Sequence, residues 1–183
     1  MYRYEELNSS CPYAMPEELE FIRQEALKLS QDQRLVMLGC GPGVMAVSAL
    51  EAHPHPPLAS IVDLDTFYYC EAHLRGAGVD LTRVAFLTGD SSKIGELWDI
   101  PIDFLIVDGD HTYSGVKKDI RAWWGTVKVG GTIFFHDALE RDGGFNGSGE
   151  WEFGDVYRAI EDSKDSSWEF VKHVGISLVY RKV

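Results

Sequence analysis

Cysteine is scarce in this chain: Cys11, Cys40 and Cys70 are its three thiols in 183 residues. An odd number with no paired spacing excludes a disulfide scaffold and a cysteine-built metal site, and predicts free thiols in a reducing compartment. Positive charge is in short supply too. Lys and Arg number 17 against 29 Asp and Glu, a formal net charge of −12. That leaves no concentrated basic face for a nucleic-acid backbone; Lys117, Lys118 and Arg121 make a small cluster that reads as a solvated helix face. Long hydrophobic runs are missing. No stretch approaches membrane-spanning length, and no apolar segment follows a basic start. The chain therefore reads as a cytoplasmic protein with no nucleic acid and no membrane among its partners. Hydrophobic residues still make up 45% of it, enough for a two- or three-layer core in one domain spanning 1–183. Residues 1–30 are expected to form an N-terminal extension and helix within that domain.

Short apolar runs supply the fold. Leu35–Leu38, Ser60–Val62, Val84–Thr88, Phe104–Val107 and Thr132–Phe135 each stop at a glycine turn or an acidic residue. Helix-length amphipathic stretches separate them, so strand and helix alternate as in a parallel sheet with crossover helices. Thr66 is placed to cap the helix that runs to about Gly76, and Gly130-Gly131 reads as the turn before the fifth strand. Asp155–Asp162 predicts a last helix, and Trp168–His173 with Ile176–Arg181 a closing hairpin around Gly175. Ligands of such sheets bind outside the carboxyl ends of the strands. Since all five carboxyl ends carry polar or glycine chemistry, one continuous ligand-binding edge is expected.

Leu35-Val36-Met37-Leu38-Gly39-Cys40-Gly41-Pro42-Gly43 resembles the first nucleotide motif of class I S-adenosylmethionine-dependent methyltransferases. The stretch Asp103–Val116, which contains Asp108-Gly109-Asp110-His111, is followed by Gly130–Asp137, which ends in His136-Asp137. Together they are similar to the small-molecule branch with the macrocin-type and cephalosporin-type O-methyltransferases, several of which use magnesium. The resemblance spans roughly residues 15–180. It implies an α/β, Rossmann-like three-layer sandwich, with a mostly parallel seven-stranded sheet that ends in a C-terminal antiparallel hairpin. A dinucleotide-binding pattern fits less well, because its third glycine would fall on Val44.

The resemblance also assigns roles. Gly39, Gly41 and Gly43 let S-adenosylmethionine approach the backbone closely. Asp63 is the ribose ligand, with capping of the next helix as the plain alternative. Asp90 corresponds to the acceptor of the adenine amino group, and an Asp before Ser91-Ser92 is equally a good helix cap. Asp108 counts among the cofactor-binding residues as well. Asp108, Asp110, His111, His136 and Asp137 lie beyond two strands that the topology makes adjacent. Carboxylates converging there need a cation or a proton between them. A divalent metal on Asp108 and Asp137, with His136 as a third ligand, is therefore expected. Magnesium is what several of the related enzymes use, but a nitrogen ligand suits manganese, iron or zinc better. Asp110 and His111 are the candidate catalytic bases, with a helix cap and a loop-holding histidine as their structural alternatives.

The expected reaction is methyl transfer from S-adenosylmethionine to an oxygen of a small-molecule acceptor, with metal assistance, in a protein that can self-associate as a homo-oligomer. Two alternatives stay open: a metal-free enzyme of the same fold acting on another atom, and a non-catalytic S-adenosylmethionine-binding module. Asp142–Gly149, four glycines in eight residues, followed by Trp151 and Phe153, predicts a loop closing over the reaction centre; a solvated connector is its alternative.

Overall fold

The computed structural model of the protein describes residues 13–51, 53–139 and 154–183. The expected lid segment, Asp142–Gly149 with Trp151 and Phe153, lies outside the described residues, as does Cys11. The first described helix, α1 (Pro16–Leu27), starts with a proline at its first position and acids in its first turn, where the missing N–H and the helix dipole favour them. Strands and helices then alternate: β1 (Arg34–Leu38), α2 (Val44–Leu50), β2 (Leu58–Asp63), α3 (Tyr68–Gly76), β3 (Val84–Thr88), α4 (Ser91–Glu96), β4 (Ile102–Val107), α5 (Tyr113–Trp123) and β5 (Val127–Phe135). Helix α6 (Asp155–Glu161) and the hairpin β6 (Trp168–Val174) and β7 (Ser177–Lys182) close the chain.

The seven strands form one sheet in the order β3-β2-β1-β4-β5-β7-β6. β1 to β5 pair in parallel, and β7 joins β5 and β6 antiparallel. This is the methyltransferase arrangement expected from the sequence. Strand order reverses between β1 and β4, so the crevice expected of an open α/β sheet lies beyond their carboxyl ends. Both faces of the sheet are covered. Leu35, Met37, Phe104 and Ile106 pack with residues of α1, α2 and α3, while Val36, Leu38, Leu105 and Val107 pack with α5 and α6. That alternation follows from the two-residue period of a strand. It also explains why the strand bodies read as continuous apolar runs rather than as polar–apolar alternation.

Two local expectations are corrected. Phe67, not Thr66, sits at the N-cap of α3 and makes no side-chain cap bond; the Thr66 N–H is already held by the Asp65 carboxylate at 2.7 Å. Gly130-Gly131 is not a turn before β5 but an irregularity inside it. The pairing steps from Ile102↔Val127 to Phe104↔Thr132, so extra residues bulge from β5 beside a single residue of β4.

Candidate active site

The parallel ladder runs one residue beyond the strands. The backbone N–H of Gly39 donates to Val62, that of Gly89 to Asp63, that of Asp108 to Leu38 and that of His136 to Val107, at 2.8–3.0 Å. The polar residues after each strand therefore start from fixed backbone and face one edge. A cavity of about 320 Å³ opens there, lined among others by Gly41, Asp63, Asp90, Asp108, Asp110 and Asp119.

The glycine loop on one wall has two distinct jobs. Gly39, at φ 76°, lies against β4: a Cβ there would sit 2.0 Å from the Asp108 carbonyl oxygen. Gly41, at φ 46°, has nothing within 4 Å of where its Cβ would be. The first glycine lets two strand ends meet, and the second keeps the wall open to a ligand. Asp63 holds this loop, accepting from the Cys40 N–H at 2.8 Å and from the Asp65 N–H at 3.3 Å. Burial alone would raise its carboxyl; these bonds outweigh it and lower it. Asp63 makes no cap to α3. Asp90 does cap α4, its Oδ1 accepting from the backbone of Ser92 and Lys93 and from the Ser92 hydroxyl. Asp110 accepts from the Thr112 N–H at 2.9 Å in a turn just ahead of α5. Thr112 itself caps that helix through Gly115.

Beyond β4 and β5 lies a compact ionic cluster. Asp108 Oδ1 is 2.7 Å from His136 Nδ1 and 3.2 Å from His111 Nε2. Asp137 stands 3.6 Å from each imidazole. Its φ of 50° is the one positive value recorded outside glycine among the described residues, a strained conformation of the kind kept at functional sites. From below, Glu18 of α1 brings Oε2 to 3.5 Å from His136 Nε2. Glu18 is 0% exposed and accepts from the Met15 and Ile176 N–H groups and the Ser177 hydroxyl. Burial would push Asp108 up, but the two imidazoles hold it down at about 2. Burial likewise opposes charge on His136 and His111, and the carboxylates reverse that and raise both. Asp137 goes the other way: burial raises it despite the histidines. Among the described residues, His136 Nε2 is buried without a hydrogen-bond partner.

Residues 36–138, more than half of the chain, match the family model of a methyltransferase domain. The chain belongs to the methyltransferase domain family. A curated relative, the uncharacterized protein y4gI of Sinorhizobium fredii, is 32% identical over 73 residues, which take in 40% of this chain and 8% of that protein. The chain thus spans only a small part of that relative. Among solved structures, a Corynebacterium glutamicum protein superposes with a TM-score of 0.78 at 16% identity, covering 98% of this chain and 87% of that one. The SAH-bound methyltransferase PaMTH1 of Podospora anserina gives 0.74 at 14% identity, with 98% and 86% covered. The O-methyltransferase TomG of Streptomyces achromogenes, solved with SAM, gives 0.71 at 13% identity, with 96% and 85% covered.

The structure of this methyltransferase domain brings Gly39, Gly41, Asp63, Asp90, Asp108 and Asp110 to one cavity. Gly43 is instead the N-cap of α2, packed against Cys70. Asp108, His111 and His136 each offer an atom within 4.8 Å of the others; Asp137 stands beside that trio rather than in it. Glu18 and Asp119 are the site residues that the sequence reading missed. Glu18 lies in the first turn of α1, where an acid already complements the helix dipole, and Asp119 stands between Lys118 and Arg121 in the sequence. Each has a detectable signal, an acid standing within or beside an apolar stripe: Leu19, Ile22 and Ala26 for Glu18, and Val116, Ile120 and Trp123 for Asp119.

Proposed function

We propose that this methyltransferase domain moves a methyl group from S-adenosylmethionine to an oxygen of a small-molecule acceptor. The observation that carries this reading is the continuity of the site. The cavity bounded by Gly41, Asp63 and Asp90 reaches Asp108, and Asp108 belongs to the His111–His136 cluster. Asp63 is suited to the ribose hydroxyls, and the end of the cavity near Ser91 and Asp119 to the base. The cofactor's sulfonium methyl then lies toward Asp108. Similarity in fold to TomG, an O-methyltransferase, supports oxygen as the acceptor atom.

Displacement at the methyl carbon asks the protein to align the acceptor oxygen and to remove one proton. His111 has both ring nitrogens turned toward carboxylates and holds its proton more tightly than a free imidazole, so it positions and neutralises. Asp110, exposed at the cavity rim, takes the proton as the new C–O bond forms and the oxygen turns acidic.

The donor set fits a divalent cation. One carboxylate oxygen and two imidazole nitrogens converge, and Glu18 stands behind His136 Nε2 as outer carboxylates stand behind metal-bound histidines. Asp108, His111 and His136 would hold it, with Asp137 alongside, and two nitrogens favour manganese, iron or zinc over magnesium. Such an ion supplies a Lewis acid that lowers the pKa of an acceptor hydroxyl.

The test is turnover of methyl-labelled S-adenosylmethionine against a panel of phenols, catechols and sugar alcohols, with and without exhaustive chelation. Label appearing on oxygen supports the reading, and Asp110→Asn should lower kcat about 10²-fold or more. Label on nitrogen or carbon only, or no transfer to any acceptor, contradicts it. Activity that survives chelation removes the metal.

A further inference from the structure

Among the described residues, Asp119 is the least exposed of the carboxylates that line the cavity. It is 2% exposed, on the face of α5 that packs against α4. Its Oδ1 accepts from the Ser91 hydroxyl at 2.5 Å. Its Oδ2 accepts no hydrogen bond among the described residues and lies on the side of Gly109, 3.7 Å from where a Cβ of that glycine would stand. Ser91, Gly109 and Asp119 all line the cavity.

We infer that Asp119, held by Ser91, is a specificity residue that accepts a hydrogen bond from the exocyclic amine of the cofactor's adenine. This rests on the S-adenosylmethionine reading of the cavity. Asp90, the acceptor expected from the sequence, has one oxygen occupied by three donors of the α4 cap. The side chain of Asp119 is held in place by Ser91, and its free oxygen is an acceptor on a residue only 2% exposed. Beside Asp90 and Asp110, it makes this end of the cavity rich in acceptors, with Lys118 the lining cation. A ring that presents an amine finds a partner there. A ring that presents a carbonyl oxygen at the same position meets carboxylate oxygens and loses its hydration unrepaid.

Keeping the charge is unfavourable for the fold, which argues for a ligand. Burial and the neighbouring Asp90 and Asp110 push the Asp119 carboxyl up to about 6, against the help of Ser91 and Lys118. A group held at such a disadvantage beside a cavity is where ligand recognition is expected.

The experiment is calorimetric titration at pH 7.5 of S-adenosylhomocysteine and its 6-oxo analogue S-inosylhomocysteine into the wild type, Asp119→Asn and Asp90→Asn, each verified as folded by circular dichroism. The wild type is expected to prefer the amino compound at least about tenfold, as sites built around a hydrogen bond do. Asp119→Asn should bring the two within about threefold, since its amide can donate to the 6-oxo group, and Asp90→Asn should keep the preference. Ser91→Ala, which frees the carboxylate without removing it, should narrow the preference in part and serves if Asp119→Asn does not fold. Equal binding of both compounds by the wild type, or a preference that Asp119→Asn keeps, overturns the role of Asp119, as does an unchanged preference in Ser91→Ala where Asp119→Asn does not fold. No binding of S-adenosylhomocysteine by the wild type overturns the cofactor reading with it.

Discussion

Asp119 is a single residue with a measurable signature in stability. Its carboxyl is raised in the folded protein to about 6 from a reference of 3.8. The folded state then binds the proton more tightly than the unfolded one between those values. Stability contributed by this group falls as pH rises from about 4 to 6, and the whole penalty stands above pH 6. A shift of that size is on the order of 2–3 kcal/mol. Asp119→Asn without ligand should therefore melt higher than the wild type at pH 7.5, with the gain gone by about pH 4. Thermal unfolding at the two pH values checks this, and a lower melting temperature for the variant at pH 7.5 contradicts it. Gly39 and Gly41 separate in the same way. Gly39→Ala must displace the Asp108 carbonyl and should lose several kcal/mol in urea unfolding. Gly41→Ala meets open space and carries only the strain of its positive φ, on the order of 1 kcal/mol. Comparable losses in both would mean that the loop is not divided into a packed and an open half.

Helix α1 shows how an element outside the sheet reaches the site. Glu18 ties it to the turn before β7 through Ile176 and Ser177, and to the end of β5 through His136. Glu18→Ala strands a buried histidine and three donors, Met15, Ile176 and Ser177, so urea unfolding should show a loss of about 3–5 kcal/mol. A loss below about 1 kcal/mol would mean that α1 is held by its apolar face alone. The strands were legible because a sheet covered on both faces leaves apolar runs with polar ends. The helices were legible through their stripes, and their ends less so, as Thr66 shows. The bulge in β5 was not legible, since Gly130-Gly131 has the composition of a turn and only pairing with β4 makes it a strand. The glycine loop, Asp63 and the Asp108–His136 segments announced themselves because each follows a strand. Glu18 did not, because its partners Ile176 and Ser177 lie 158 and 159 residues away. For Asp119 the apolar stripe of Val116, Ile120 and Trp123 beside it signals burial but not the cavity it meets.

At the scale of the whole molecule, the sheet places five strand ends in one line, and the loops that follow build a wall of glycine backbone, a row of carboxylates and an ionic cluster. The charge balance, 29 acids to 17 bases, agrees with a small cationic cofactor such as a sulfonium better than with an anionic dinucleotide. The described residues contain no helix long and apolar enough to cross a membrane. The central claim is that this cavity takes S-adenosylmethionine. Isothermal titration of the wild type and of Gly41→Trp with S-adenosylhomocysteine, and of the wild type with NAD, tests it most directly. The account predicts saturable binding of S-adenosylhomocysteine by the wild type, its loss in Gly41→Trp with the circular dichroism spectrum kept, and no binding of NAD. Saturable NAD binding with none of S-adenosylhomocysteine would contradict it.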